Sequence, residues 1–174
     1  LEAFSGNRYD LAWHLCRLTG KKRFDPEAYK KFQPLLNHLA GQLRFPVKLS
    51  IRDGEEFINV CSAQATWDVS LFSEPGTRCP VDCSSSVGTV FFAETGGKGC
   101  DAESRKRIAD YHKTGSLDPG SRFHVDTLSF PVRRGDSLLA VLSVLSIPGM
   151  LARADWTEIG AEVRRTIDRA LKLF

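Results

Sequence analysis

The sequence predicts an α+β domain with a central mixed or antiparallel sheet of five or six strands and helices packed around it. Three observations carry that prediction. Two β-hairpins are marked by Asp53-Gly54 and Arg134-Gly135-Asp136, each between apolar runs. Helix signals lie before, between and after them. The chain has 174 residues with 42% hydrophobic and 26% charged residues, which suits one domain with a full-sized core.

The elements follow in order. Tyr9 to Thr19 reads as a short helix with Leu11, Leu15 and Leu18 on one face, ended by Gly20. The basic connector Lys21-Lys22-Arg23 follows. Asp25-Pro26-Glu27 is a helix start: an N-cap, a Pro at the first helical position, then an acid in the first turn. Tyr29, Phe32, Leu36, Leu39 and Leu43 then form an apolar stripe, with Pro34 expected to kink or loosen the second turn. Strands are predicted over Val47–Arg52, Glu56–Cys61 and Val69–Phe72, and Pro75-Gly76 turns the chain. Ser84–Thr95 reads as a helix carrying Val87, Val90 and Phe91, and Gly96-Gly97 ends it. Asp101-Ala102-Glu103 starts another helix, ending near Gly115. A polar loop follows around Asp118-Pro119-Gly120. Val125–Val132 and Leu138–Ile147 form the second hairpin. Asp155-Trp156-Thr157-Glu158 opens a final helix that buries Trp156, Ile159, Val163, Ile167, Ala170 and Phe174.

Composition excludes several function classes. No apolar run approaches the roughly 18 residues that span a membrane, and the opening residues are not a basic segment followed by an apolar one, so no signal peptide is expected. The net charge of +3 is too mild to imply nucleic-acid binding, and the basic triplets at 21–23 and 105–107 read as solvated faces. Five cysteines, at 16, 61, 79, 83 and 100, are an odd number without a secretory signal, which favours reduced thiols in the cytoplasm. No Cys-x-x-Cys is present, and His14, His38, His112 and His124 share no ligand spacing. Neither a metal nor another cofactor is expected, and no Ser/His/Asp arrangement argues for catalysis.

The richest segment chemically is Gly76-Thr-Arg-Cys-Pro-Val-Asp-Cys-Ser-Ser-Ser-Val-Gly-Thr-Val-Phe-Phe-Ala93. It brings backbone N–H groups and three consecutive hydroxyls to a helix start, a place suited to small anions. Serine is also a favoured N-cap, so the same residues suffice to start a helix without any ligand. Gly88 favours ligand binding, since a glycine there lets backbone approach closely. Cys83 beside the helix start would have its thiolate favoured by the helix dipole, with Cys79 able to resolve it. The competing reading is that both thiols simply pack. Trp67 is a further candidate for a pocket wall or a core position.

In three of its segments the chain resembles the effector-binding domain of IclR-type transcription regulators, a GAF-like fold. The first segment is the hairpin Val47–Val60. The second is Gly76-Thr-Arg-Cys-Pro80, a small-residue turn, and Gly88-Thr-Val-Phe-Phe-Ala93, where the family typically has Gly-x-Arg-x-Pro-Leu-His and then Gly-Lys. The third is Thr127–Val144 with Pro148. The likeness spans residues 25–174, with residues 1–24 as a linker helix and connector. Asp82 stands where the family has His, and Thr89 where it has Lys.

The resemblance implies a sensor domain without catalytic activity that holds a small-molecule effector, a carboxylate or aromatic acid, against the sheet. It implies backbone donors at Ser86 and Val87, a loop acid at Asp118, and strand contacts at Thr127 and Ser143, with Leu145 removing a further polar contact. It implies self-association as a dimer or tetramer and DNA binding only through an upstream winged helix-turn-helix that this chain is expected to lack. The rival reading is a GAF-like thiol enzyme of the free methionine sulfoxide reductase type, using Cys83 and Cys79.

Overall fold

The computed structural model describes residues 29–65, 74–94, 101–115, 125–151 and 155–173. A 3-10 turn, Lys30–Phe32, leads into helix α1, Gln33–Leu43, which has Pro34 in its first turn. Strands β1 (Val47–Asp53) and β2 (Glu56–Ala63) form the first hairpin, and β3 is short, Arg78–Pro80. Helices α2 (Ser86–Glu94) and α3 (Ala102–Thr114) follow. Strands β4 (Asp126–Arg134) and β5 (Ser137–Ser146) form the second hairpin, and α4 spans Trp156–Ala170. The five strands make one antiparallel sheet in the order β3-β2-β1-β5-β4. This is the α+β architecture the sequence predicts.

The local signals explain the elements. Gly54 and Gly135 sit at positive φ, 67° and 58°, in the two hairpin turns, where a side chain would be strained. Asp101 caps α3 by accepting from the Ser104 N–H at 2.7 Å, and Gly115 ends it in the left-handed region. Asp155 caps α4 by accepting from Thr157 and Glu158 N–H groups. Pro34 adjoins a loosened turn, as expected. It sits in the first turn of α1, where its missing N–H has no role, and the turn before it is 3-10.

Strand β3 was not among the predicted strands. Arg78 and Pro80 pair with Ile58 and Glu56 of β2. Arg78 holds the strand there with Asp53 at 2.7 Å and Glu56 at 3.0 Å. The strand expected over 69–72, the first helix and connector at 1–24, Trp67 and the loop around Asp118 lie outside the described residues.

The sheet has two covered faces. On one, α1 and α4 pack over Val47, Leu49, Ile58, Val60, Leu128, Phe130, Val132, Ala140, Leu142 and Val144. Phe32, Leu36 and Leu39 of the predicted stripe are fully buried here, with Tyr29 and Leu43 at its margin. Ile159, Val163 and Ala170 of α4 are buried as expected, while Trp156 and Ile167 are only partly so. Gln33 ties α1 to β2 by accepting from the Cys61 thiol at 2.9 Å and donating to the Ser62 carbonyl at 2.7 Å. Burial pushes the Cys61 thiol up to about 11. The opposite face carries α2 and α3. Phe57, Val81, Val87, Val90, Phe91, Tyr111 and Val141 form a smaller core there.

Candidate functional site

The three serines at the start of α2 divide into three roles. Ser84 folds back on Asp82, whose Oδ1 accepts from the Ser84 N–H at 2.8 Å and from its hydroxyl. Ser85 is the N-cap: its Oγ accepts from the Gly88 N–H at 3.0 Å and its carbonyl from the Thr89 N–H at 2.8 Å. Ser86 points at the sheet, where its Oγ lies 3.0 Å from Ser129 Oγ. The amides of Ser86 and Val87 are first-turn donors, which a helix supplies with no carbonyl of its own. The turn is pressed against the helix at Gly88. A Cβ there would stand 2.5 Å from the Asp82 carbonyl and 2.9 Å from Ser85 Oγ, so only glycine fits.

Strand alternation sets the sheet side of the site. On β5, Ala140, Leu142 and Val144 face α1 and α4, so Val141, Ser143 and Leu145 face the other way. Register then lines up Ser129 on β4, Ser143 on β5, Lys48 on β1 and Ser62 on β2 as one cross-strand row. Ser129 Oγ and Ser143 Oγ are 3.0 Å apart, so a continuous hydroxyl chain runs from Ser86 through Ser129 to Ser143. In the next row Ser50 donates to Asn59 Oδ1 at 2.8 Å. Ser50, Ser129 and Ser143 are 0% exposed. Buried hydroxyls in an apolar interior stay there only with partners.

Lys48 breaks that pattern. Its side chain is half-buried, and among the described residues it makes no hydrogen bond or ion pair. Burial holds its ammonium below the ordinary lysine value, an effect the nearby Cys79 partly offsets.

A polar cluster fixes the far end of α2. Glu94 accepts from Tyr111 OH at 2.7 Å and from the Arg133 guanidinium, which also donates to Tyr111 OH at 3.0 Å. The cluster joins α2, α3 and β4. Burial, and then Glu94, push the Tyr111 hydroxyl up to about 12. A separate cleft of about 330 Å³ lies between the end of α3, β4 and α4, lined in part by Thr114, Pro131, Arg133, Arg164 and Asp168.

The sequence-derived candidates fall out unevenly. Ser86 and Ser143 come together, but through Ser129, which sequence reasoning missed. Val87 buries its side chain in the smaller core beside Val90 and Val141, leaving only its backbone for the site. Thr127 is on the same strand as Ser129, two residues along and opposite Leu145, half-buried and outside the hydroxyl chain. Asp118 lies outside the described residues. Lys48, Ser50 and Asn59 were also missed. The signal for Lys48 and Ser50 was the alternation Val47-Lys-Leu-Ser50, with a polar residue at every second position.

The thiols correct the expectation of reduced cysteines. Cys83 is disulfide-bonded, while Cys79 and Cys61 are free. Cys79 lies on β3 beside the smaller core, and Cys83 lies in the turn before α2. Cys79 and Cys83 are therefore not bonded to each other. Among the described residues no group of His, Cys, Asp and Glu forms a metal-binding set.

Solved structures share this architecture. The chain superimposes on the inducer-binding domain of the PobR transcription factor from Acinetobacter, a double mutant in complex with 3-hydroxybenzoic acid. The TM-score is 0.61 at 15% identity, covering 84% of this chain and 97% of that one. The fold is that of the IclR-type inducer-binding domain. An IclR homolog from Microbacterium hydrocarbonoxydans, complexed with 4-hydroxybenzoate, matches with a TM-score of 0.62 at 16% identity over 95% of this chain and 68% of that one. An IclR family transcriptional regulator from Brucella abortus matches with a TM-score of 0.62 at 14% identity over 84% of this chain. The chain spans 63% of the length of that regulator. No family model and no curated protein matches the sequence. No helix among the described residues is long and apolar enough to cross a membrane.

Proposed function

We propose that this chain is the effector-binding domain of an IclR-type transcription regulator, and that it binds a small carboxylate, aromatic acids included, between α2 and the polar face of the sheet. The observation that carries the reading is the hydroxyl chain Ser86–Ser129–Ser143. It puts the start of a helix in direct contact with polar groups on the last two strands, inside an otherwise apolar interface. Hydroxyls donate and accept, so such a chain can turn its protons toward an incoming anion. The amides of Ser86 and Val87 add donors from the helix end. The structural neighbours that hold 3-hydroxybenzoic acid and 4-hydroxybenzoate support the ligand class. In this reading Thr127 and Asp118 complete the contacts. Binding shifts a balance between assembly states, dimer or tetramer, and so changes how an upstream DNA-binding domain is presented. The domain works in the cytoplasm and does no chemistry of its own.

The test is a thermal-shift panel of benzoate, 3-hydroxybenzoate, 4-hydroxybenzoate and short aliphatic carboxylates, run on the wild-type chain and on Ser86→Trp. A ligand present at about 100 times its Kd stabilises by ~2.7 kcal/mol, a visible rise in Tm. The reading expects at least one such rise, lost in Ser86→Trp. A panel without a rise in the wild type contradicts it.

A further inference from the structure

We infer that Lys48 is the cation that anchors the effector's carboxylate, so that the site takes small monoanionic acids and refuses their neutral amides. This rests on the sensor reading above and names the group that selects the charge. Lys48 stands directly opposite Ser143 on one side and Ser62 on the other. Directly opposed residues on neighbouring strands have their Cβ atoms about 5 Å apart. The lysine therefore continues the row of Ser129 and Ser143, at the end away from the β4 edge.

The carboxylates that the described residues of the neighbouring elements carry are committed elsewhere. Glu94, at the far end of α2, holds Tyr111 and Arg133. Asp53 and Glu56 hold Arg78, and Asp82 holds Ser84. The remaining charged side chain on that face of β1, Arg52, bonds the Gly54 carbonyl and lies 4.0 Å from Glu55. From β3 the facing titratable group is the Cys79 thiol, from β5 it is none, and β2 offers Ser62 and Asn59. Among the described residues, then, a lysine stands in register with a hydroxyl row and no carboxylate meets its ammonium. An uncompensated, partly desolvated charge is costly, and a bound carboxylate removes that cost while accepting from Ser143. Burial lowers the ammonium's pKa from its ordinary value, and among the described residues no carboxylate offsets that lowering.

The experiment measures binding of benzoate and 4-hydroxybenzoate, and of benzamide and 4-hydroxybenzamide, to the wild-type chain, Lys48→Met and Lys48→Arg. Melting curves of the free proteins establish folding, and Lys48→Met should melt at or above the wild type. The expected result is binding of the acids but not the amides, a loss of roughly tenfold to a hundredfold in Lys48→Met, and recovery of most of it in Lys48→Arg. Folded Lys48→Met that binds the acids as tightly as the wild type overturns this inference and leaves the sensor reading standing. Amides that bind as tightly as acids also overturn it. Failure of both acids on a folded wild type overturns the inference for aromatic acids, and the aliphatic members of the thermal-shift panel then decide the sensor reading separately.

Discussion

Strand β5 presents Ala140, Leu142 and Val144 to α1 and α4, and Val141, Ser143 and Leu145 to the side of α2. Strand β1 does the same, with Val47 and Leu49 on the first face and Lys48 and Ser50 on the second. The first face is a continuous apolar core with Leu36, Leu39 and Val163 closing it. The second has a smaller core and, next to it, a row of buried hydroxyls in register with Lys48, whose ammonium meets no carboxylate among the described residues. Apolar burial of the first kind supplies most of the stability of a domain. Polar groups of the second kind add little net stability and are easily lost, so their concentration on one face points to recognition rather than to packing.

That contrast can be broken from either side. The largest effect is expected on the apolar face. Leu39 is 0% exposed, and Leu39→Ala should lower stability by about 2–5 kcal/mol by leaving a cavity. Carboxylate affinity of the molecules that remain folded should not change, as denaturant unfolding and titration well below the transition will measure.

Gly88→Ala comes next. Its new Cβ meets backbone at 2.5 Å, so the turn before α2 must move. A stability loss of about 1–3 kcal/mol is expected. Because Ser86 moves with the turn, affinity should fall as well. Unchanged affinity in this variant would separate the helix start from the binding site.

The smallest effect is expected at Tyr111→Phe, about 1 kcal/mol at neutral pH. The folded-state pKa of Tyr111 is raised from 10.0 to about 12. Its contribution is therefore full below pH 10 and is lost as the pH rises through 12. The stability gap between wild type and variant should narrow across that interval in pH-dependent unfolding. Lys48 acts with the opposite sign. A lysine lowered in the folded state makes stability rise with pH up to its ordinary value of 10.5, a slope that Lys48→Met should abolish.

What could be read from the sequence follows the same division. The hairpins at Gly54 and Gly135 and the caps at Asp101 and Asp155 are local signals, and each lies where the residues placed it. The apolar stripe of α1 was legible for the same reason. The hydroxyl row was not, because it is made of residues on different strands. Two register shifts, at Leu49/Ser50 and at Val132/Arg133, keep a count along the chain from revealing which residues stand opposite each other. Ser86 and Ser143 were identified without Ser129, the residue that connects them. Lys48 was not singled out, because no local signal marks its face as the one that carries α2.

The most direct test of the account is amide chemical-shift mapping of the wild-type chain titrated with the tightest carboxylate of the thermal-shift panel. Perturbations are predicted at Ser86, Val87, Gly88, Ser129, Ser143 and Lys48, with α1 and the buried face of α4 unmoved. Perturbations centred instead on Thr114, Arg133, Arg164 and Asp168 would place the ligand in the cleft between α3, β4 and α4, and would contradict the claim that the hydroxyl row is the binding face.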